Sequence, residues 1–322
     1  MKRLQMFGLL NKDMEALEKE LYLSVQGDDH LLTETSLHLL KAGGKRLRPV
    51  FVLMGGKFGT YDLGKLKRVA IPLELIHSAS LVHDDVIDDA DTRRGEPTVK
   101  AKWGDKIAMY TGDYIYAKAL SIAAELPNPR VHQILSKAMV EMSVGEMEQI
   151  RDFFNSGQSV RHYLRRIRRK TALLIAISCQ LGALAADAEP EVARQLYNYG
   201  YNVGMAFQIR DDLLDLSGTE KQLGKPPGSD MRQGNITLPV IYTMEDDRLR
   251  ASLLSELELI REGLSGVGRA IDMILAGDGI SRAEQLASRY IEKALTALDK
   301  LPNNRTKGNL RDIAHFVTGR KF

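Results

Sequence analysis

The sequence predicts an all-α protein, a single large helical bundle around a central apolar cavity, and three observations carry that prediction. Apolar residues recur at helical spacing almost everywhere, while strand alternation is scarcely visible. The periodic stretches are separated by short clusters of glycine, proline and charged residues, none long enough to divide the chain. An apolar fraction of 44% over 322 residues is enough for a sizeable core. One helical domain over residues 1–322 is therefore expected.

Taken in order, Leu4 to Val25 carries apolar residues at helical spacing, and Leu31 to Leu40 continues the pattern up to the helix-ending Gly43-Gly44. The stretch from Leu47 to Phe58 places Pro49 in its first turn, where proline is tolerated. Leu66 to Ile87 is long and apolar, and its Pro72 should start the helix or kink it. A charged loop, Asp89 to Thr98, leads to a helix from about Lys106 to Leu126. Pro127-Asn128-Pro129 separates that helix from Val131 to Phe154. Two further long helices, Val160 to Ala186 and Val192 to Leu216, are divided near Pro190. A loop from Gly218 to Gly234 follows, then shorter helices up to Val317, with breaks near Gly263, Gly277 and Pro302.

Composition excludes several classes. The 45 Lys and Arg against 42 Asp and Glu leave a net charge of +3, too balanced for a nucleic-acid binder. The lone Cys179 rules out an internal disulfide and fits a reducing compartment; its apolar neighbours predict packing rather than reactivity. The N-terminus lacks a signal-peptide pattern, and no apolar run is long enough to be a transmembrane segment. A soluble, cytoplasmic protein is expected, with any membrane contact made through a ligand or a partner.

The chemistry centres on two acidic clusters. In Val82-His83-Asp84-Asp85-Val86-Ile87-Asp88-Asp89, a helix would stack Asp84 and Asp88 one turn apart with Asp85 beside them, and Val86 and Ile87 turned towards a core. Such stacked charges destabilise a helix unless something neutralises them. Mg²⁺ does so readily, because it takes carboxylate oxygens and shares its other positions with phosphate. Asp211-Asp212-Leu213-Leu214-Asp215 repeats the spacing. One cluster alone would read as a solvated helix face; two inside apolar helices point to metal. Both come near the ends of long helices, which would form a cup of carboxylates if they faced each other.

Cations accompany the acids. Gly43-Gly44-Lys45-Arg46-Leu47-Arg48-Pro49 joins a flexible turn to a helix start, where free N–H groups and the dipole favour an anion; the plainer alternative is a solvated basic turn. Arg93-Arg94-Gly95 follows the first cluster, where the arginines could simply pair with Asp89 and Asp91. In the basic run from Arg165 to Lys170 most arginines should face solvent or acidic neighbours, and Lys170-Thr171 stands out at the edge of an apolar stretch. Carboxylates for metal, cations for phosphate and an apolar interior together suit a lipid diphosphate. Serine or cysteine nucleophile signatures and zinc-ligand spacings are missing from the sequence.

With those residues in view, the chain resembles the trans-isoprenyl diphosphate synthases, also called polyprenyl synthetases. Asp84-Asp85-x-x-Asp88 and Asp211-Asp212-x-x-Asp215 look like the two aspartate-rich motifs of that family. The Gly43 to Pro49 segment, Arg93-Arg94-Gly95, Lys170-Thr171, Phe207-Gln208 and Gly224-Lys225 match its other signatures in order, from about Leu31 to the end. Among subgroups the sequence is most similar to the catalytic component of bacterial two-component heptaprenyl diphosphate synthases.

The resemblance implies a Mg²⁺-dependent condensation of isopentenyl diphosphate with an allylic diphosphate, farnesyl diphosphate being the expected starter. It implies a long product such as heptaprenyl diphosphate for a menaquinone side chain. Asp84, Asp85, Asp88, Asp211, Asp212 and Asp215 would hold Mg²⁺ on the allylic diphosphate, with Arg93, Lys170 and Lys225 contacting the same group. Lys45, Arg48, His77 and Arg94 would bind the diphosphate of isopentenyl diphosphate. Thr171 and Gln208 would stand near the developing carbocation, and the released pyrophosphate would take the proton. A dimer is implied, together with a smaller non-catalytic partner subunit. One departure is Asn235, in Gly234-Asn235-Ile236-Thr237, where the family often has lysine; it puts one diphosphate contact in doubt.

Product length should follow the depth of an apolar tunnel beneath the first cluster. Ala79 and Ser80, one turn before Asp84, are small where short-product relatives carry aromatics, and Ile76 lies deeper as wall or floor. Close helix packing is the alternative use of those small residues. His83 reads as a packing or supporting residue rather than a ligand, and Arg320-Lys321 as a closing or a frayed tail. Three rivals remain: a farnesyl or geranylgeranyl diphosphate synthase, a terpene cyclase, and a non-catalytic regulatory subunit. The small residues oppose the farnesyl case, the doubled aspartate motif the cyclase, and the intact acids the regulatory subunit.

Overall fold

The computed structural model describes residues 10–219 and 226–318. In chain order the helices are α1 (Asn11–Ser24), α2 (His30–Lys41), α3 (Leu47–Gly56) and α4 (Leu63–Ile87). Two short strands follow, β1 (Thr92–Arg93) and β2 (Glu96–Pro97), then α5 (Val99–Trp103), α6 (Asp105–Ala124), α7 (Pro129–Arg151) and α8 (Val160–Ile167). A π-helical turn (Arg168–Ala172) joins α8 to α9 (Leu173–Ala185), and α10 (Pro190–Ser217) comes next. The remainder is α11 (Ser229–Arg232), α12 (Leu238–Thr243), α13 (Asp247–Arg261), α14 (Gly268–Ala276), α15 (Gly279–Asp299) and α16 (Arg305–Thr318). The all-α expectation holds. No helix among the described residues is long and apolar enough to cross a membrane.

The chain forms two compact units. The first takes Met1–Met139, Ile177–Tyr197 and Leu301–Leu310; the second takes Val140–Ala176, Asn198–Lys300 and Arg311–Phe322. The first acidic cluster belongs to the first unit and the second cluster to the second.

The first unit is built on α4, which packs against α3 and α6, while α6 also meets α2 and α5. Asp62 caps α4 by accepting from the backbone N–H groups of Gly64 and Lys65. The helix runs on through Pro72, so proline does not start it as one reading of the sequence had it. Leu66, Val69, Leu73, Leu75 and Ile76 are all buried, because a helix apolar around most of its circumference needs neighbours on several sides.

The second unit has its own core. Tyr163 and Ile167 of α8 meet Met205, Ile209 and Leu213 of α10, Leu238 and Ile241 of α12, and Ala283 and Ala287 of α15. Its helices stop close to the expected breaks: α13 ends just before Gly263, and Gly277 caps α14. The stop after α12 at Met244 and the π-helical turn were not foreseen.

Candidate active site

The first acidic cluster sits in the last turn of α4, where four carbonyl groups lack intrahelical partners and the dipole is negative. That turn carries no basic residue of its own. Asp84 and Asp85 are buried, Asp88 is half-buried at the C-cap, and its N–H reaches the Asp84 carbonyl at 2.8 Å. Three carboxylates at a negative helix end call for positive charge from outside the helix. The expectation that Ile87 faces a core is corrected: it is 48% exposed, because the helix ends there and Asp84 and Asp85 take the inward positions.

Positive charge comes from the β1–β2 hairpin. Arg94 and Gly95 both have positive φ, 58° and 84°, as a two-residue type I′ turn requires. This turn aims Arg93 back at α4, where its Nε donates to Asp85 Oδ1 at 2.7 Å and its Nη2 stands 2.6 Å from the same oxygen. Arg93 therefore pairs with Asp85, not with Asp89 or Asp91; Asp89 pairs with Lys100 instead. Burial nevertheless raises the Asp85 carboxyl above its ordinary value, against the pull of Arg93.

The 43–49 turn supplies the next cations. A Cβ on Gly44 would stand 2.7 Å from Arg94 Nη1, so only glycine lets that guanidinium lie over the turn. Arg46 turns inward at φ 47° and bonds Glu18 through Nε and Nη2, Glu74 Oε1 through Nη1 at 3.1 Å, and the Leu40 carbonyl at 2.7 Å. Arg46 is thus structural, tying α1, α2 and α4 to the turn. Lys45 is exposed, and Arg48 is half-buried with a buried Nε that no acceptor meets. Burial, and Arg94 beside it, push Arg48 down to about 10. His77 is held well below the ordinary imidazole range by burial and by Arg48, Arg94 and Arg93. It meets this cationic group as a neutral ring, able to donate one hydrogen bond. Crowded guanidiniums with a buried unsatisfied N–H suit a bound polyanion.

The second cluster lies near the end of α10, where Asp211 is exposed and Asp212 and Asp215 are buried. Asp212 accepts from Tyr163 OH at 2.7 Å through Oδ2 and from Gln208 Nε2 at 2.8 Å through Oδ1. Burial, with Asp230 close by, pushes its carboxyl up to about 7. Asp215 Oδ2 accepts from the Asp230 N–H at 3.1 Å. Asp230 is a fourth carboxylate that the spacing argument missed, since it lies on the short helix α11. Asn235 is half-buried and its N–H bonds the Asp230 carbonyl at 2.8 Å.

Lys170 and Thr171 occupy the π-helical turn, a distortion that re-aims side chains and is frequent at functional sites. Lys170 Nζ reaches Glu146 at 3.1 Å and Gln149 at 3.0 Å, while Thr171 donates to Gln208 Oε1 at 2.7 Å. The arginines before them pair with α7: Arg168 and Arg169 with Glu141, Arg169 also with Glu148. Acidic neighbours were expected there. Lys225, Arg320 and Lys321 lie outside the described residues.

Ile76 and Ala79 are buried on α4, and Ser80 is half-buried with its hydroxyl donating to the His77 carbonyl at 2.9 Å. His83 is not turned to the acids: its Nε2 stands 3.3 Å from the Met109 carbonyl and 3.4 Å from Asp113, with its ring beside Tyr116. Cys179 is buried and its thiol is pushed up by burial, as packing predicts.

Among the described residues no three acidic, histidine or cysteine side chains converge to hold a metal unaided. Carboxylates are the hard oxygen donors that a divalent cation shares with water and phosphate. The aspartates at the two helix ends match that donor chemistry, and the adjacent cations match the phosphate.

The Polyprenyl synthetase family profile matches residues 29–263. The chain is 54% identical over 322 residues to heptaprenyl diphosphate synthase component 2 of Geobacillus stearothermophilus, covering 100% of both. Its fold matches the crystal structure of heptaprenyl diphosphate synthase from Staphylococcus aureus at TM-score 0.90 and 39% identity, covering 97% of this chain and 98% of that one. A polyprenyl synthase from Caulobacter crescentus CB15, solved with calcium and isoprenyl diphosphate, matches at TM-score 0.91 and 30% identity over 98% and 97%.

Proposed function

Because the chain belongs to the polyprenyl synthetase family, we propose that it is the catalytic component of a cytoplasmic heptaprenyl diphosphate synthase. It extends an allylic diphosphate, with farnesyl diphosphate as starter, by successive additions of isopentenyl diphosphate. The observation that carries this reading is the pair of aspartate-bearing helix ends, each with buried carboxylates and a nearby cation, Arg93 at Asp85 and Arg166 beside Asp212.

In this reading residues 1–322 act as a single catalytic domain. Asp84, Asp85, Asp88, Asp211, Asp212 and Asp215 hold Mg²⁺, which when bound supplies Lewis-acid stabilisation of the departing diphosphate. Arg93, Lys170 and Lys225 bind that diphosphate directly. Lys45, Arg48, Arg94 and neutral His77 fix isopentenyl diphosphate, so that its alkene stands ready beside the allylic carbon. Thr171 and Gln208 turn oxygen towards the positive charge that develops as the allylic C–O bond breaks. Apolar walls exclude the water that would quench it.

Ile76, Ala79 and Ser80 leave a tunnel open along α4, and its depth sets the number of isoprene units. Ser80→Phe should shorten the product by one or more units, read by chromatography of the dephosphorylated prenols. Retained activity with unchanged length would remove the tunnel from α4.

A second chain completes the enzyme. The deciding assay combines this chain, a smaller partner subunit, Mg²⁺, farnesyl diphosphate and isopentenyl diphosphate. Heptaprenyl diphosphate is expected with the partner present and not with the chain alone; turnover by the chain alone would contradict an obligatory partner, and no turnover in either mixture would contradict the function.

A further inference from the structure

Four side chains of the second unit form a continuous hydrogen-bonded relay. Tyr163 OH donates to Asp212 Oδ2 at 2.7 Å, Gln208 Nε2 donates to Asp212 Oδ1 at 2.8 Å, and Thr171 Oγ1 donates to Gln208 Oε1 at 2.7 Å. The order is set by chemistry. With Asp212 ionised, as it would be when it holds a cation, its oxygens only accept, so the Gln208 amide turns its NH₂ to Asp212 and its oxygen to Thr171. Thr171 then commits its only proton to Gln208, and its two oxygen lone pairs are left for whatever stands before the π-helical turn.

Tyr163 is the inner end of that relay. Its ring has no exposed surface and is enclosed by Ile167, Met205, Ile209 and Leu213. The Arg166 guanidinium lies 5.7 Å from the ring and is itself held by Gln158 and the Ile236 carbonyl. A hydroxyl this deep has one thing to do, which is to hold Asp212.

We propose that Tyr163 is a positioning residue for prenyl transfer: its hydroxyl fixes the Asp212 carboxylate and, through the Gln208 amide, the direction of the Thr171 hydroxyl. The inference rests on the prenyl-transfer reading. Tyr163 touches no reacting atom, so its loss should lower turnover and leave isopentenyl diphosphate binding alone.

The test is Tyr163→Phe, which removes one oxygen and keeps the ring. In the assay with partner subunit, Mg²⁺ and both diphosphates, kcat should fall about 10- to 100-fold while KM for isopentenyl diphosphate stays within about twofold. Adding Thr171→Val should cost little more, because both changes break one relay. In the metal-free chain labelled with nitrogen-15 glutamine, the Gln208 side-chain amide resonances should shift. Unmoved resonances, kcat within about twofold of wild type, or losses that multiply in the double variant would each overturn the inference. Should Tyr163→Phe fail to fold, a fluorotyrosine placed at position 163 carries the same test, since it keeps the ring and changes the acidity of the hydroxyl, and unmoved Gln208 amide resonances would again overturn the inference. A wild-type chain without turnover overturns this inference and the prenyl-transfer reading together; an active wild type with an indifferent Tyr163→Phe overturns this inference alone.

Discussion

Arg93 has two claims on it: it holds Asp85 at 2.6 Å, and it is assigned to the diphosphate. A cation arriving alone must compete with the guanidinium for Asp85, whereas a cation arriving with a diphosphate gives Arg93 another anion to hold. Arg93→Ala should therefore bind Mg²⁺ alone more tightly than wild type. The same variant should bind pyrophosphate with Mg²⁺ at least about tenfold more weakly, by loss of a charge-assisted bidentate contact. Calorimetric titration reads both; a variant weaker in both would contradict the exchange. Asp212 makes a pH prediction in the metal-free chain. Its carboxyl is pushed up to about 7 by burial and Asp230, from about 3.9 in an unfolded chain. The folded state then holds the extra proton, so this contribution to stability is complete below about pH 4 and is lost as pH rises through about 7. In chelator, the thermal midpoint should fall between about pH 4 and pH 7, and Asp212→Asn should flatten that fall. A slope unchanged by the substitution would contradict it.

At the scale of elements, helices that cross closely do so through glycine. A Cβ on Gly182 of α9 would stand 2.1 Å from the Val52 carbonyl, and one on Gly55 of α3 would stand 2.3 Å from the Cys179 carbonyl. Both obstacles are backbone, which cannot rotate away. Gly182→Ala should therefore destabilise by about 1–3 kcal/mol through overpacking. That outcome runs against the roughly 1 kcal/mol that alanine gains over glycine in a helix. Chemical denaturation decides the sign. Long helices such as α4 and α10 were legible because their apolar periodicity, and the Pro190 start of α10, are local signals, whereas the Asp62 cap that begins α4 was not read. The β1–β2 hairpin was missed because two-residue strands carry no periodicity; only Arg94-Gly95 hinted at a turn. The π-helical turn leaves no mark in an apolar pattern either. In the site, the aspartates and the Lys170-Thr171 pair were legible from spacing, while Tyr163, Asp230, Glu146 and Gln149 were not. Each joins the site through a contact between residues far apart in sequence, which no spacing rule encodes.

At the scale of the whole molecule, the proposed reaction needs the aspartates of 84–88 and of 211–215 to hold one diphosphate. It also asks the apolar length of α4 to run beneath that grip. Helices α4 and α10 each end in carboxylates with no basic residue in the last turn, so each end draws positive charge from outside its own helix. The most direct measurement is a crystal structure of the chain with Mg²⁺ and a non-hydrolysable allylic thiodiphosphate. The account predicts one diphosphate bridged by Mg²⁺ to aspartates of both 84–88 and 211–215, with the hydrocarbon running past Ser80 and Ala79. A diphosphate held by one acidic cluster while the other stands in solvent would contradict it.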